Sequence, residues 1–141
     1  ASGFVTIPSA FLIGLSGGVV CYFAVSKLKS RFAYDDSLDV FGVHGVGSTI
    51  GLLLLGVFAS AEVNPAIGTT FQSSGKVVSL AGGSAQVLNQ LIGIGFTVAL
   101  AALATFLILK LVDVLIGLRV SAEDEDSGLD LTQHGESAYN D

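Results

Sequence analysis

One histidine inside a long uncharged stretch is the residue of this sequence best suited to chemistry. His44 lies five positions after Asp39, which is the one charged residue of segment 38–60. In a helix, which rises about 1.5 Å per residue, the imidazole would lie about 7–8 Å beyond that carboxylate. Neutral imidazole donates a hydrogen bond at one ring nitrogen and accepts one at the other, which suits binding a small polar molecule or relaying a proton.

One face of the same helix would combine this imidazole with bare backbone. Val40, His44, Gly47 and Gly51 are spaced at i, i+4, i+7 and i+11, and therefore share a face of an α-helix. A species passing along that face would meet hydrocarbon, one imidazole and exposed backbone, an environment that suits a stripped cation poorly. The alternative interpretation is a histidine held by a carbonyl group in ordinary packing.

Several classes of site lack their residues. A metal site would need further ligands, and no second His, Cys or Glu lies near His44 on this helix, so we predict neither a metal nor a cofactor. Phosphate-binding loops, nucleophile triads and basic patches for nucleic acid are absent as well. The sequence therefore predicts neither an enzyme nor a nucleic-acid-binding protein.

The composition indicates lipid as the main solvent. Of the 141 residues, 51% are hydrophobic and only 13% are charged, against about 25% charged in a typical soluble domain. Segments 4–26, 38–60 and 87–118 each exceed the roughly 20 apolar residues that cross a bilayer core as a helix. The predicted fold class is all-α, a polytopic helical membrane protein, with a transmembrane region over 1–118 and an acidic tail over 119–141.

Charge placement predicts the orientation of these helices. The connection 27–37 holds two lysines and one arginine, whereas the Gly- and Ser-rich connection 61–86 holds only Lys76. By the positive-inside rule, loop 27–37 and the tail are expected in the cytoplasm, and loop 61–86, read as irregular structure, outside. Asp36 or Ser37 suits the N-cap of the second helix, and Asp39 is expected in its first turn.

Small residues predict close packing of the helices. Pairs four residues apart let helix backbones approach each other in lipid. Their number suggests more protein neighbours than three helices alone could offer. The pairs are Gly14 with Gly18, Gly47 with Gly51, and Gly95 with Ala99.

Two stretches of sequence resemble a known family. Residues 35–47 (DDSLDVFGVHGVG) with 56–59 (GVFA), and residues 117–139 (GLRVSAEDEDSGLDLTQHGESAY), are similar to the tenth helix and the cytoplasmic tail of the ammonium transporter family, in its Amt branch. The resemblance covers the whole chain as the last three of eleven helices plus the tail. Because the chain opens at Ala1 and contains no Met, we expect an internal or processed piece, with the remaining N-terminal helices as its partners.

The resemblance implies a function and site residues. It implies a homotrimer in the cell membrane with one pore per subunit, in which ammonium loses its proton outside and ammonia crosses an apolar pore lined by two histidines. His44 matches the second histidine, Val40 a pore-lining position and Asp39 a structural acid at the helix start. Gly128 and Thr132 fall in the tail region that regulates family members, where PII-type proteins act.

Two other functions remain open at this point. An ammonium sensor would bind the same substrate in the pore but signal through its tail to a cytoplasmic partner. A non-transporting structural subunit would show no flux even when joined to the complete amino-terminal part.

Overall fold

The computed structural model describes residues 1, 3–67, 71–73, 76–78 and 80–137. Parts of the predicted outer loop and the last four residues of the predicted tail lie outside the described residues, and the side chains of 71–79 are not described either. The chain forms two compact units, Ala1–Thr97 and Val98–Asp141, which are considered separately below.

Three apolar helices dominate the structure and confirm the all-α class. They are α1, Ile7–Phe32 (26 residues), α2, Phe41–Phe58 (18 residues), and α3, Ser84–Leu115 (32 residues), each long and apolar enough to cross a membrane. At 1.5 Å per residue they are about 39, 27 and 48 Å long. In the most apolar window of α3 none of the residues is buried, so lipid or further protein must cover that surface.

The ends of α1 follow from local sequence. Thr6 has the extended backbone of an N-cap and Pro8 lies in the first turn, where its missing amide hydrogen costs nothing. The helix continues past the apolar segment through Lys27, Lys29 and Arg31, and it ends where Ala33 takes a left-handed conformation with φ of 49°.

Each of the first two helices contains one π-helical turn, and the two turns touch. They span Ala24–Leu28 in α1 and Phe41–Gly45 in α2. A Cβ built on Gly42 would lie 2.7 Å from Val25 Cγ2, and one built on Gly47 would lie 3.0 Å from Cys21 Sγ. Glycine at these two positions lets α1 and α2 pack closely.

The connection from α2 to α3 carries a short hairpin that the sequence did not suggest. Strand β1, Phe71–Ser73, pairs antiparallel with β2, Lys76–Val78. Backbone hydrogen bonds then join the helix ends, from Gly82 N to the Ala59 oxygen at 2.7 Å and from Gly83 N to the Gly56 oxygen at 3.0 Å. A Cβ on Gly56 would lie 2.9 Å from Val87 Cα, so the backbones of α2 and α3 nearly touch there.

At most of the glycines in the predicted small-residue pairs, there is open space within the described part of the chain. Of the glycines in those pairs, Gly47 is the one in close contact. The others, at which an added Cβ would meet no described atom within 4 Å, are Gly14, Gly18, Gly51 and Gly95.

In the second unit the chain after α3 forms two short helical turns. Helix α4, Ala122–Ser127, is capped by Ser121, whose hydroxyl accepts a hydrogen bond from Asp124 N at 3.1 Å. Gly128 ends this helix with φ of 93°. A π-helical turn, Asp130–His134, follows.

Candidate functional site

The start of α2 is capped by a carboxylate that lies before it. Asp36 accepts hydrogen bonds from Val40 N at 2.8 Å and from Phe41 N at 2.9 Å, one on each carboxylate oxygen. These amides belong to the helix start and have no acceptor within the helix. The negative charge also lies near the positive end of the helix dipole, which favours it further.

A lysine of α1 binds two acidic residues at the start of α2. Lys29 Nζ donates to the Asp36 carbonyl oxygen at 2.6 Å and to Asp39 Oδ1 at 2.7 Å. We call these three residues, Lys29, Asp36 and Asp39, the Lys29 clamp. The clamp therefore links the end of α1 to the start of α2.

Asp39 has an unusual backbone within the clamp. Its φ is 56°, a left-handed conformation that few residues other than glycine, asparagine and aspartate adopt. The sequence placed Asp39 in the first turn, whereas the structure places it just before α2, with its carboxylate directed to Lys29 instead of the helix amides. Its carbonyl oxygen accepts a hydrogen bond from Val43 N at 2.9 Å.

His44 lies in the π-helical turn that follows. The amide of Val46 reaches back five residues to the Phe41 oxygen, which closes this wide turn around the histidine. Turns of this kind are rare and often occur at functional sites. The hydroxyl of Thr49 donates to the Gly45 oxygen at 2.8 Å and so satisfies a carbonyl of the turn.

The imidazole is available for a ligand within the described structure. His44 is exposed, and no hydrogen bond joins its side chain to another described residue. Packing against a carbonyl, the alternative interpretation of this histidine, is therefore not found among the described residues. Val40, four residues earlier, is 50% exposed as well.

An aromatic contact also involves the first residue of the π-helical turn, Phe41. The rings of Tyr34 and Phe41 meet edge to face with centroids 5.6 Å apart. A Cβ on Gly45 would lie 3.0 Å from Phe41 Cδ2. Gly45, the residue next to His44, therefore contacts the ring of Phe41, and the backbone amide of the same Phe41 donates to Asp36.

Sequence reasoning missed Lys29, which it used only as a positive charge for orientation. The signal available was its position ten residues before Asp39, across a connection short enough to bring the two together. The π-helical turn had no such signal, because the α-helical spacing of Val40, His44, Gly47 and Gly51 was itself plausible.

The predicted tail residues lie together in the second unit. Thr132 Oγ1 donates to the Gly128 oxygen at 3.1 Å and lies 3.4 Å from the Asp124 oxygen. Arg119 binds both carboxylate oxygens of Glu125, with Nη2 at 2.8 Å from Oε1 and 3.0 Å from Oε2. Exposed pairs of this kind contribute about 0–1 kcal/mol, so they orient the tail more than they stabilise it.

Comparison with known proteins gives one consistent result. The model of the Ammonium Transporter Family matches residues 1–139. An ammonium transporter of Bacillus subtilis is 41% identical over 141 residues, which are 100% of this chain and 33% of the relative. The Amt1 ammonium transporter of Archaeoglobus fulgidus is 41% identical over 99% of this chain and 33% of its own length.

A solved structure agrees with these sequence relatives. The crystal structure of Saccharomyces cerevisiae Mep2 superimposes with a TM-score of 0.72 and 37% identity, over 87% of this chain and 27% of that chain. The chain thus spans about 33% of the length of the curated relatives it matches.

Proposed function

This chain belongs to the ammonium transporter family, and on that premise we propose that it forms part of a channel that moves ammonium across a membrane. The observation that carries the proposal is the position of His44, exposed and unpaired among the described residues of a helix long enough to span a bilayer. Ionisable residues in such helices usually face a bundle interior or a pathway.

In this proposal His44 binds the permeating molecule and relays its proton. One imidazole nitrogen takes up the proton that ammonium has released, and the other nitrogen gives up its own proton toward the far side, so the ring is neutral again after each transfer. Val40 supplies apolar wall beside it, and Asp39 serves the helix start. The remaining pore residues, including a second histidine, would come from the amino-terminal helices of the full-length protein.

We place the chain in the cell membrane as a multi-pass protein, with loop 27–37 and the tail in the cytoplasm and loop 61–86 outside. The support is the excess of lysine and arginine at the Lys29 end of α1 and α2. The same proposal includes a homotrimer with one pore per subunit and a PII-type regulator at the cytoplasmic face, as the resemblance described above implies.

The transport proposal is tested by reconstitution. The full-length protein in liposomes is expected to carry ammonium and methylammonium faster than empty liposomes, as read by an internal pH dye and by labelled methylammonium uptake. Flux no greater than that of empty liposomes, from protein that purifies as a folded oligomer, would contradict transport and favour a structural subunit.

A sensor is the second candidate, favoured by the folded and acidic tail. Four consecutive acids, Glu123 to Asp126, lie in α4, which is closed at its two ends by Ser121 and Gly128. An acidic segment with defined structure could contact a basic partner surface. In this candidate Gly128 and Thr132 regulate signalling or pore activity.

The two candidates differ in their response to removal of the tail. We expect a variant truncated after Val120 to transport ammonium within about threefold of the wild-type rate, because exposed tail contacts are weak. Flux is measured beside transcription of nitrogen-responsive genes, with Arg119→Gln as a control that keeps the tail but lacks the ion pair with Glu125. Intact flux with lost signalling would favour the sensor; flux lost on truncation would instead assign the tail a role in opening the pore.

A further inference from the structure

We infer that Lys29 is a positioning residue, whose contacts with Asp36 and Asp39 fix the start of α2 and thereby the orientation of the His44 imidazole. The inference rests on the proposed function, since it concerns how the pore histidine is held. Lys29 does not touch the pathway itself. It acts through the clamp and the π-helical turn.

Several groups at the start of α2 depend on the side-chain amine of Lys29. Lys29 binds the Asp36 carbonyl oxygen and the Asp39 carboxylate, while the Asp36 carboxylate binds the amides of Val40 and Phe41. The same Asp36 carbonyl oxygen accepts Asp39 N at 3.1 Å. Loss of the lysine therefore leaves the Asp39 carboxylate without its ion pair and removes a donor from the Asp36 carbonyl oxygen, which disfavours this arrangement.

The left-handed backbone of Asp39 also depends on the clamp. A left-handed conformation of a residue with a side chain persists only where the surroundings hold it in place. Three contacts hold Asp39. Its backbone amide donates a hydrogen bond to the Asp36 oxygen, its carbonyl oxygen accepts one from Val43 N, and its carboxylate forms an ion pair with Lys29. Of these the ion pair is the one that reaches outside the α2 start to another helix.

Phe41 connects the Lys29 clamp to the turn that contains the histidine. Phe41 is bound by Asp36 at its amide, and its carbonyl oxygen accepts Val46 N to close the π-helical turn that contains His44. Its ring touches the position next to the histidine, Gly45. A shift of the clamp is therefore passed to both ends of the turn that orients the imidazole.

The experiment measures flux and selectivity in the full-length protein in liposomes. Lys29→Met is expected to lower ammonium flux by about tenfold, less than the roughly 100-fold that a 1 Å misplacement can cost, and to change the ratio of ammonium to methylammonium flux. Lys29→Arg keeps the positive charge and several donors for the same two oxygens, and it should keep both readings closer to the wild-type values than Lys29→Met does.

Two further variants make the test specific. Lys27→Met removes the same charge from an exposed lysine on the same helix that has no ion pair with a described residue, and it should behave as wild type. Asp39→Asn keeps a residue that tolerates the left-handed conformation but loses the charge. The double variant Lys29→Met with Asp39→Asn should lower ammonium flux no further than either single variant does, because both substitutions remove the same Lys29–Asp39 ion pair.

The outcomes separate this inference from the transport proposal. Normal wild-type flux with Lys29→Met equal to Lys27→Met would overturn the positioning role alone. So would a lower flux with an unchanged selectivity ratio, which indicates a loss of folded protein only. If Lys29→Met yields no protein, Asp39→Asn decides by the same ratio. No flux from the wild-type protein would overturn both proposals.

Discussion

Replacing His44 with alanine in the full-length protein is expected to lower ammonium flux by about 5- to 150-fold. A lost hydrogen bond to a desolvated polar molecule costs about 1–3 kcal/mol, and about 1.4 kcal/mol corresponds to a tenfold change in rate. Because His44 is exposed among the described residues, the substitution leaves no cavity in the described packing, and the loss of flux reports on the imidazole. Uptake of ammonium and labelled methylammonium into liposomes measures the effect.

His44→Glu tests the chemistry of the same position in another way. A carboxylate is an acceptor without a donor when ionised, and it attracts cations. We expect this variant to admit potassium together with ammonium, which is read as conductance in symmetric potassium solutions. Val57→Ala is the matched control, since it removes hydrocarbon from an exposed valine of the same helix, away from the histidine. Unchanged flux and unchanged ion selectivity in both His44 variants would remove the histidine from the mechanism.

Replacing Gly56 with alanine is expected to destabilise the full-length protein by about 1–3 kcal/mol, the usual cost of forcing extra atoms into a packed site. The added methyl group would lie 2.9 Å from Val87 Cα and 3.2 Å from Val87 N. These are backbone atoms, which cannot rotate away as a side chain can. The thermal midpoint of the detergent-purified oligomer should therefore fall, and Gly56→Leu should prevent folding.

Gly51→Ala is the control for this prediction. It places the same methyl group on the same helix, where no described atom lies within 4 Å. We expect its thermal midpoint to stay close to that of the wild type, and a small gain is compatible with the higher helix propensity of alanine. Equal midpoints for Gly56→Ala and the wild type would show that α2 and α3 can separate at this point without loss.

The fold could be predicted from sequence because long uncharged segments leave a chain few alternatives. Three segments without a polar face have to be buried in lipid or protein, and backbone groups in lipid are satisfied by helices. The helix ends were less predictable. Helix α1 runs on to Phe32 because lysine and arginine are good helix formers, whereas α2 begins only at Phe41 because Asp36 captures the amides of Val40 and Phe41.

The site was predictable in its residue types and less so in its geometry. A histidine in an apolar segment attracts attention by its cost alone, and Asp36 was one of two capping candidates. The wide turn around His44 contains Gly42, which packs against Val25 of another helix, and spacing along the sequence does not indicate that contact. Lys29 was missed because its partner, Asp39, faces away from the helix amides that capping rules consider.

The π-helical turn at Phe41–Gly45 also bears on how the sequence can change over time. Such a turn holds one residue more than regular α-helical winding needs, so a single deletion between Phe41 and Gly45 would leave a regular helix whose two sides keep nearly the same relative rotation. A deletion elsewhere in α2 would instead rotate one side of the helix by about 100° relative to the other. Single-residue deletions should therefore be tolerated better in this short interval than in the rest of α2.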